Sequence, residues 1–191
     1  FSAEVTALGQ YGNIITGYSG APSVTLVSGT ASAGPTGPSF SSGKSTLTGT
    51  IEVAGNYQIK VTDAAPEPHI TALSNTFAIT PDSPDDLTIE SGDNQTADVL
   101  TDLGAPLEVK VVDAFDNPIS AQAVSWDTGG EGSIQPDNAV TDSNGEVTAT
   151  WTLGPVAGAQ TAQASVSGLP SVTFGATAEA GPAARLQLNN L

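Results

Sequence analysis

Val5-Thr6-Ala7-Leu8-Gly9-Gln10-Tyr11-Gly12-Asn13-Ile14-Ile15 is matched 104 residues later by Val109-Lys110-Val111-Val112-Asp113-Ala114-Phe115-Asp116-Asn117-Pro118-Ile119. In both stretches an apolar residue is followed by a turn rich in Gly, Asp or Asn, then by a second apolar residue. This is strand, turn and return rather than helix. The repeat continues further along the chain. Ala54-Gly55 followed by Gln58 resembles Ala157-Gly158 followed by Gln160, and Thr76-Phe77 resembles Thr173-Phe174 at an offset of 97. A period of about 100 residues is the size of one β-sandwich, so the sequence predicts two of them in series.

Alternation by twos runs through the whole chain, as in Tyr57-Gln58-Ile59-Lys60-Val61, Leu107-Glu108-Val109-Lys110-Val111 and Val147-Thr148-Ala149-Thr150-Trp151-Thr152-Leu153. The inward set expected in the first half is Val5, Val24, Leu26, Leu47, Ile51, Tyr57, Ile59, Val61, Phe77 and Ile79. In the second half it is Val109, Val111, Val124, Trp126, Val147, Trp151, Val166, Val172 and Phe174. Asp142-Ser143-Asn144-Gly145 carries the Asn-Gly pair that tolerates positive φ and reads as a hairpin turn. Pro81 to Asp85 reads as a short, stiff linker, because its prolines and aspartates do not suit a central strand.

The expected domains are therefore residues 1–80, a linker at 81–85, and residues 86–180. Residues 181–191 follow as a further piece. Leu87-Thr88-Ile89-Glu90 precedes the second repeat as a first strand, and nothing comparable stands before Phe1, so the first domain is expected to lack its first strand. Conversely, Pro182 to Leu191 resembles Pro84 to Glu90 and reads as the first strand of a following domain, or as a donor strand. Its residues Arg185, Leu186, Gln187, Leu188 and Leu191 are the candidate donors, and Phe1, Ala3 and Val5 are the candidate acceptor groove. The chain opens at Phe1 rather than Met, so it is expected to be a processed or partial chain.

With 20 acidic residues against four basic ones the chain carries a formal charge of −16, which repels nucleic acid and anionic lipid. No nucleic-acid partner and no membrane insertion are expected, since no apolar run approaches the ~20 residues a spanning helix requires. Cysteine and methionine are both absent. This removes disulfides, thiol catalysis and sulfur-ligated metals, and a chain without oxidisable sulfur suits an extracellular setting.

Chemistry-bearing patterns are few. Gly43-Lys44-Ser45 has the ending of a phosphate-binding loop, but the opening glycine belongs at position 38, where Pro38 stands. His69 is the single histidine and lies among prolines, with no serine and acid placed to form a triad around it. Lys60 and Lys110 fall on outward strand positions and Lys44 in a loop, which disfavours an intramolecular isopeptide bond. No cofactor is expected. Ca²⁺ is the one metal that the abundant oxygen ligands could suit, with Asp82, Asp85 and Asp86 as its candidate ligands and Asp63 or Glu67 near by.

The residues Ser91-Gly92-Asp93-Asn94-Gln95-Thr96, Leu107 to Ile119, Val124-Ser125-Trp126, Thr141 to Gly145, Thr150 to Gly154 and Gly181 to Leu186 agree in order with a known pattern. Over about 100 residues they resemble the bacterial immunoglobulin-like domain of the intimin and invasin type. The first half, with Val5 to Asn13 and Thr16 to Gly20, resembles a related bacterial immunoglobulin-like repeat. The resemblance implies an all-β chain of two tandem immunoglobulin-like β-sandwiches, extracellular or on the bacterial cell surface, and no catalytic residues to transfer. The function it implies is that of a structural subunit or segment of a fibre, stalk or adhesin shaft. Its partners would be copies of itself or neighbouring immunoglobulin-like domains in an array. The competing expectation is an accessory module that binds a surface glycan or host receptor, for which Tyr11, Tyr18 and Phe40 are the available aromatics.

Overall fold

The computed structural model describes residues 1–27, 39–63, 70–130, 132–183 and 185. Within it the chain divides into two compact units, Phe1–Pro81 and Asp82–Leu191. Every regular element is a strand.

The second unit is a two-sheet sandwich. One sheet has the order β12 (Ser133–Gln135), β14 (Glu146–Thr152), β10 (Leu107–Val112), β8 (Asp86–Ser91). The other runs β13 (Asn138–Val140), β11 (Ala123–Asp127), β15 (Gly158–Ser165), β16 (Val172–Glu179), β9 (Gln95–Asp98). All neighbours are antiparallel except β9 on β16, which is parallel. A single segment, β8 followed by β9, therefore closes the outer edge of both sheets.

Alternation translates directly into burial here. Along β10 Leu107, Val109 and Val111 are buried while the residues between them are not, and along β14 Val147, Ala149 and Trp151 are the buried ones. Trp126 tilts against Phe174 with ring centroids 5.8 Å apart. Around them Leu87, Val124, Trp151, Leu153, Ala162 and Ala164 fill a mostly aliphatic core. Each such side chain contributes roughly 1.5–3 kcal/mol when fully buried.

The first unit has smaller sheets. β1 (Ser2–Thr6) pairs with β3 (Lys44–Thr48), and β5 (Ile59–Asp63) lies between β2 (Ser23–Leu26) and β6 (Ile70–Leu73). β4 (Gly55–Tyr57) pairs with β7 (Phe77–Ile79). Tyr57 is buried, lies at 6.2 Å from the Phe77 ring, and donates its hydroxyl to the Val53 carbonyl at 2.8 Å. Among the described residues of this unit Leu47, Ile51, Tyr57 and Ile59 are the hydrophobic side chains that reach full burial. Val5, Val24, Leu26, Val61, Phe77 and Ile79 point the expected way but stay half-buried.

Candidate functional site

The two units share one backbone frame, and it locates the site. Ile15 N–H donates to Ala7 O at 2.9 Å, as Ile119 N–H does to Val111 O at 3.1 Å. Gly9 N–H donates to Asn13 O as Asp113 N–H does to Asn117 O, and Ala7 N–H to Gly43 O as Val111 N–H does to Gly145 O. The bridges Leu8 to Ile14 and Val112 to Pro118 correspond as well. In the turns that lead into β3 (Lys44–Thr48) and β14, Gly43 (φ 76°) and Gly145 (φ 77°) occupy the same left-handed conformation, where a Cβ would stand 2.5 Å from a backbone carbonyl oxygen. The repeat seen in the sequence is thus a repeat of hydrogen bonds. Val5, Ala7, Leu8 and Ile15 stand where Val109, Val111, Val112 and Ile119 stand in the second unit.

What covers those positions differs. In the second unit β8 pairs along β10, with Leu87 opposite Val111, Thr88 opposite Lys110 and Ile89 opposite Val109. The register slips between Val109 and Glu108, so that Ser91 comes opposite Glu108 and its hydroxyl donates to that carboxylate at 2.8 Å. Under this strand Val109 and Val111 are 0% exposed, and Leu87 itself only 4%. In the first unit β1 has β3 on one side and no strand on the other among the described residues. Phe1 exchanges hydrogen bonds with Gly49, and Ala7 donates to Gly43. By alternation the odd residues of β1 face β3, and Ser2, Glu4 and Thr6 aim their backbone groups at the free edge. β7 shows the same lack, since its counterpart β16 is edged by β9.

A cavity of about 120 Å³ opens beside this free edge. Its walls include Val5, Ala7, Leu8 and Ile15 on one side, Val61, Ile70 and Ala72 on another, and Tyr18 with Phe40 closing it. Leu8 and Ile15 are left 55% and 43% exposed. Tyr18 and Phe40 meet edge to face, with centroids 4.7 Å apart and planes at 79°. The Tyr18 hydroxyl donates to Asp63 Oδ2. Burial first, then this hydrogen bond and the negative charge of Asp63, push the phenol up to about 12. Gly20 permits the arrangement, because a Cβ there would fall 2.2 Å from the Tyr18 hydroxyl.

The residues anticipated from sequence are distributed as follows. Val5 lines the cavity, whereas Phe1 packs on Phe77 at 6.0 Å and neither it nor Ala3 is in the cavity wall. The backbone that faces the free edge belongs to Ser2, Glu4 and Thr6, which the sequence reading did not single out. Arg185 is exposed and outside any strand. Leu186, Gln187, Leu188 and Leu191 lie outside the described residues, as do Glu67, His69 and Pro38. Of the three aromatics, Tyr18 and Phe40 come together, but Tyr11 is 87% exposed on the turn at Gln10 and does not join them.

Two of the carboxylates expected to suit calcium are bonded to backbone. Asp82 Oδ1 accepts from Ser83 N and Asp86 Oδ1 from Leu87 N, each satisfying its own neighbour's backbone. Among the described residues no three acidic or histidine side chains gather closely enough to hold a cation. The most heavily bonded carboxylate is Asp113, which the sequence reading treated only as part of a turn. Burial pushes it up, but donation from the Asn117 side chain and from the backbones of Asp82, Asn117 and Phe115 outweighs this and holds it below the ordinary carboxylate value. It is a loop clasp in a turn whose counterpart in the first unit starts at Gly9.

Sandwich architecture, a first strand that edges both sheets and a core built on Trp126, Trp151 and Phe174 define the second unit as an immunoglobulin-like module. Residues 88–180 match the model of the bacterial Ig-like domain (group 1). Solved structures similar to the chain include the D0-D1 domain of intimin, 23% identical with a TM-score of 0.36, the match covering 91% of this chain and 88% of that one. The adhesin FdeC of Escherichia coli is 21% identical with a TM-score of 0.46 over 92% of this chain, and adhesin InvE of Yersinia pseudotuberculosis 19% identical with a TM-score of 0.41 over 93%. The match spans 59% and 53% of those two adhesin chains. No curated protein sequence matches the chain.

Proposed function

We propose that this chain is a structural segment of a bacterial extracellular fibre, stalk or adhesin shaft, built from immunoglobulin-like units in series and joined by strand complementation between units. The observation that carries the reading is the repeated hydrogen-bond frame, in which one unit has its edge strand and the other has, among the described residues, no strand on the outer side of β1, beside a cavity. The match of residues 88–180 to the bacterial Ig-like domain model supports a building block over a catalyst, as does a cavity in which Tyr18 and Asp63 are bonded to each other. An acidic surface, at −16 for the chain, keeps neighbouring arrays soluble and apart.

The test is direct. Antibody raised against the chain should label intact source cells along surface fibres, and filaments formed by the full chain should disappear when residues 185–191 are deleted. Labelling only after permeabilisation would remove the surface role. Unchanged filaments after the deletion would remove the complementation. A glycan array separates the shaft from the binding module, since glycan binding lost in Tyr18→Ala would favour the latter.

A further inference from the structure

We propose that Asn144-Gly145 is a site of spontaneous covalent modification, at which water converts the amide of Asn144 to a carboxylate through a cyclic imide, and that the turn from Asp142 to Glu146 gates the reaction. The chemistry needs only this chain and solvent, and it does not depend on how units are joined in series.

Of the chain's asparagines, Asn144 alone is followed by glycine. Glycine has no Cβ to shield its backbone nitrogen, so that nitrogen can reach the side-chain carbonyl carbon of the residue before it. Asn144 is exposed, which opens its amide to water. The glycine is also required by the fold. A Cβ at Gly145, where φ is 77°, would meet Val111 O at 2.5 Å and Ile119 N and Pro118 Cβ at 3.2 Å. In the first unit Ser42 precedes the equivalent Gly43, and a hydroxyl offers no amide to displace.

Gly145 N attacks Asn144 Cγ. The new N–Cγ bond closes the imide as the Gly145 N–H proton passes to solvent and the side-chain nitrogen leaves as ammonia. Water then opens the ring at either carbonyl. Breaking the N–Cγ bond leaves aspartate in an unaltered chain, whereas breaking the original peptide bond leaves isoaspartate, whose main chain runs through Cβ and Cγ and is longer by a methylene. In sum, amide and water give carboxylate and ammonium.

The closed turn holds the attacking nitrogen back. Gly145 N–H donates to Asp142 O at 3.1 Å, and Gly145 O accepts from Val111 N at 2.9 Å. Asp142 Oδ1 accepts from the N–H groups of Asn144 and Glu146 at 2.8 and 3.1 Å. Attack therefore awaits local opening of this turn. Once the reaction has run, the turn does not close as before. In isoaspartate the added methylene must fit where Gly145 already lies against Val111 O. In aspartate the new carboxylate stands beside Asp142, whose Oδ2 is 3.5 Å from the departing amide nitrogen, and the like charges repel. Each turn that has opened and reacted is thus marked permanently.

The full chain is incubated in mildly alkaline buffer with and without urea, its peptides are mapped by mass spectrometry, and isoaspartate is labelled with an isoaspartyl methyltransferase. Residue 144 should convert ahead of every other asparagine, to a mixture of aspartate and isoaspartate. The folded chain should react at least about tenfold more slowly than the chain in urea, the ratio imposed by a local opening cost of about 1.4 kcal/mol. Asp142→Ala removes the carboxylate that braces the turn and should raise the folded rate towards the rate in urea. Asn144→Ser, which copies the first unit, should abolish the label in this turn. Tryptophan fluorescence verifies that the second unit stays folded in each variant. A residue 144 that stays an amide in urea, or a label in this turn that survives Asn144→Ser, would overturn the site. Equal rates with and without urea, or no acceleration in Asp142→Ala, would overturn the gate.

Discussion

Val109 and Val5 occupy the same step of the same hydrogen-bonded frame, yet one is fully buried and the other is half-exposed on the wall of a cavity. The difference does not come from either residue, since both are valine on a strand paired antiparallel along its other side. It comes from β8, which supplies Leu87 and Ile89 to one unit and has no counterpart among the described residues of the other. An edge strand in this fold therefore does more than satisfy backbone groups. It provides the last layer of apolar side chains, and without it the inward face of the neighbouring strand remains at the surface.

The largest expected effect comes from making the complete unit resemble the incomplete one. Leu87→Ala should open in the second unit the hole that the first already has, at about 2–5 kcal/mol. Urea unfolding followed by tryptophan emission reads this unit alone, because both tryptophans, Trp126 and Trp151, lie in it while Tyr11, Tyr18 and Tyr57 lie in the first. A loss well under 1 kcal/mol would mean that Leu87 is not what seals the core.

A second contrast concerns the turns. Asp113 accepts five donated hydrogen bonds, and removing the charge with Asp113→Asn should cost about 1.5–3 kcal/mol. Its native pKa lies below the ordinary value, so the unfolded chain binds a proton more readily than the folded one. The stabilisation is thus present above about pH 4 and is lost as pH falls through the native value. The gap between wild type and Asp113→Asn should close on acidification below about pH 4 in the tryptophan signal. The tyrosine signal of the first unit, whose turn starts at Gly9, should not register the substitution.

Smaller effects run the other way. Ala7→Val restores the residue of the complete unit and should stabilise the first unit by about 1 kcal/mol through added burial, measured by tyrosine near-UV dichroism. Lys44→Ala removes the exposed pair with Glu4 at 3.0 Å and should change stability by no more than about 1 kcal/mol.

Much of this was legible in the sequence because both units obey alternation. In the second unit the inward residues anticipated from period two, Val109 to Phe174, are buried, with Val172 the half-buried exception at a strand end. The repeat from Val5 to Ile15 also foretold the shared frame. What the pattern could not convey is depth. Val5, Val61 and Phe77 have the right parity, but burial depends on what lies across from them, and parity is blind to a missing neighbour. Tyr18 and Phe40 were visible as aromatics, whereas their perpendicular packing and the bond to Asp63 depend on a close approach of the Tyr18 hydroxyl to residue 20, where a side chain would have to displace it. Ala7 carried a readable signal: setting it against Val111 in the aligned repeat marks the position where the first unit is under-filled.

Native-state hydrogen exchange at the backbone amides of Glu4 and Thr6, set beside those of Glu108 and Lys110, tests the central claim most directly. In a dilute sample the first pair should exchange almost freely and the second should be protected. Adding a peptide of residues 182–191 should then protect Glu4 and Thr6 while leaving Glu108 and Lys110 unchanged. If Glu4 and Thr6 were as protected as their counterparts before the peptide was added, or stayed open at saturating peptide, the first unit would not be a sandwich awaiting its edge strand.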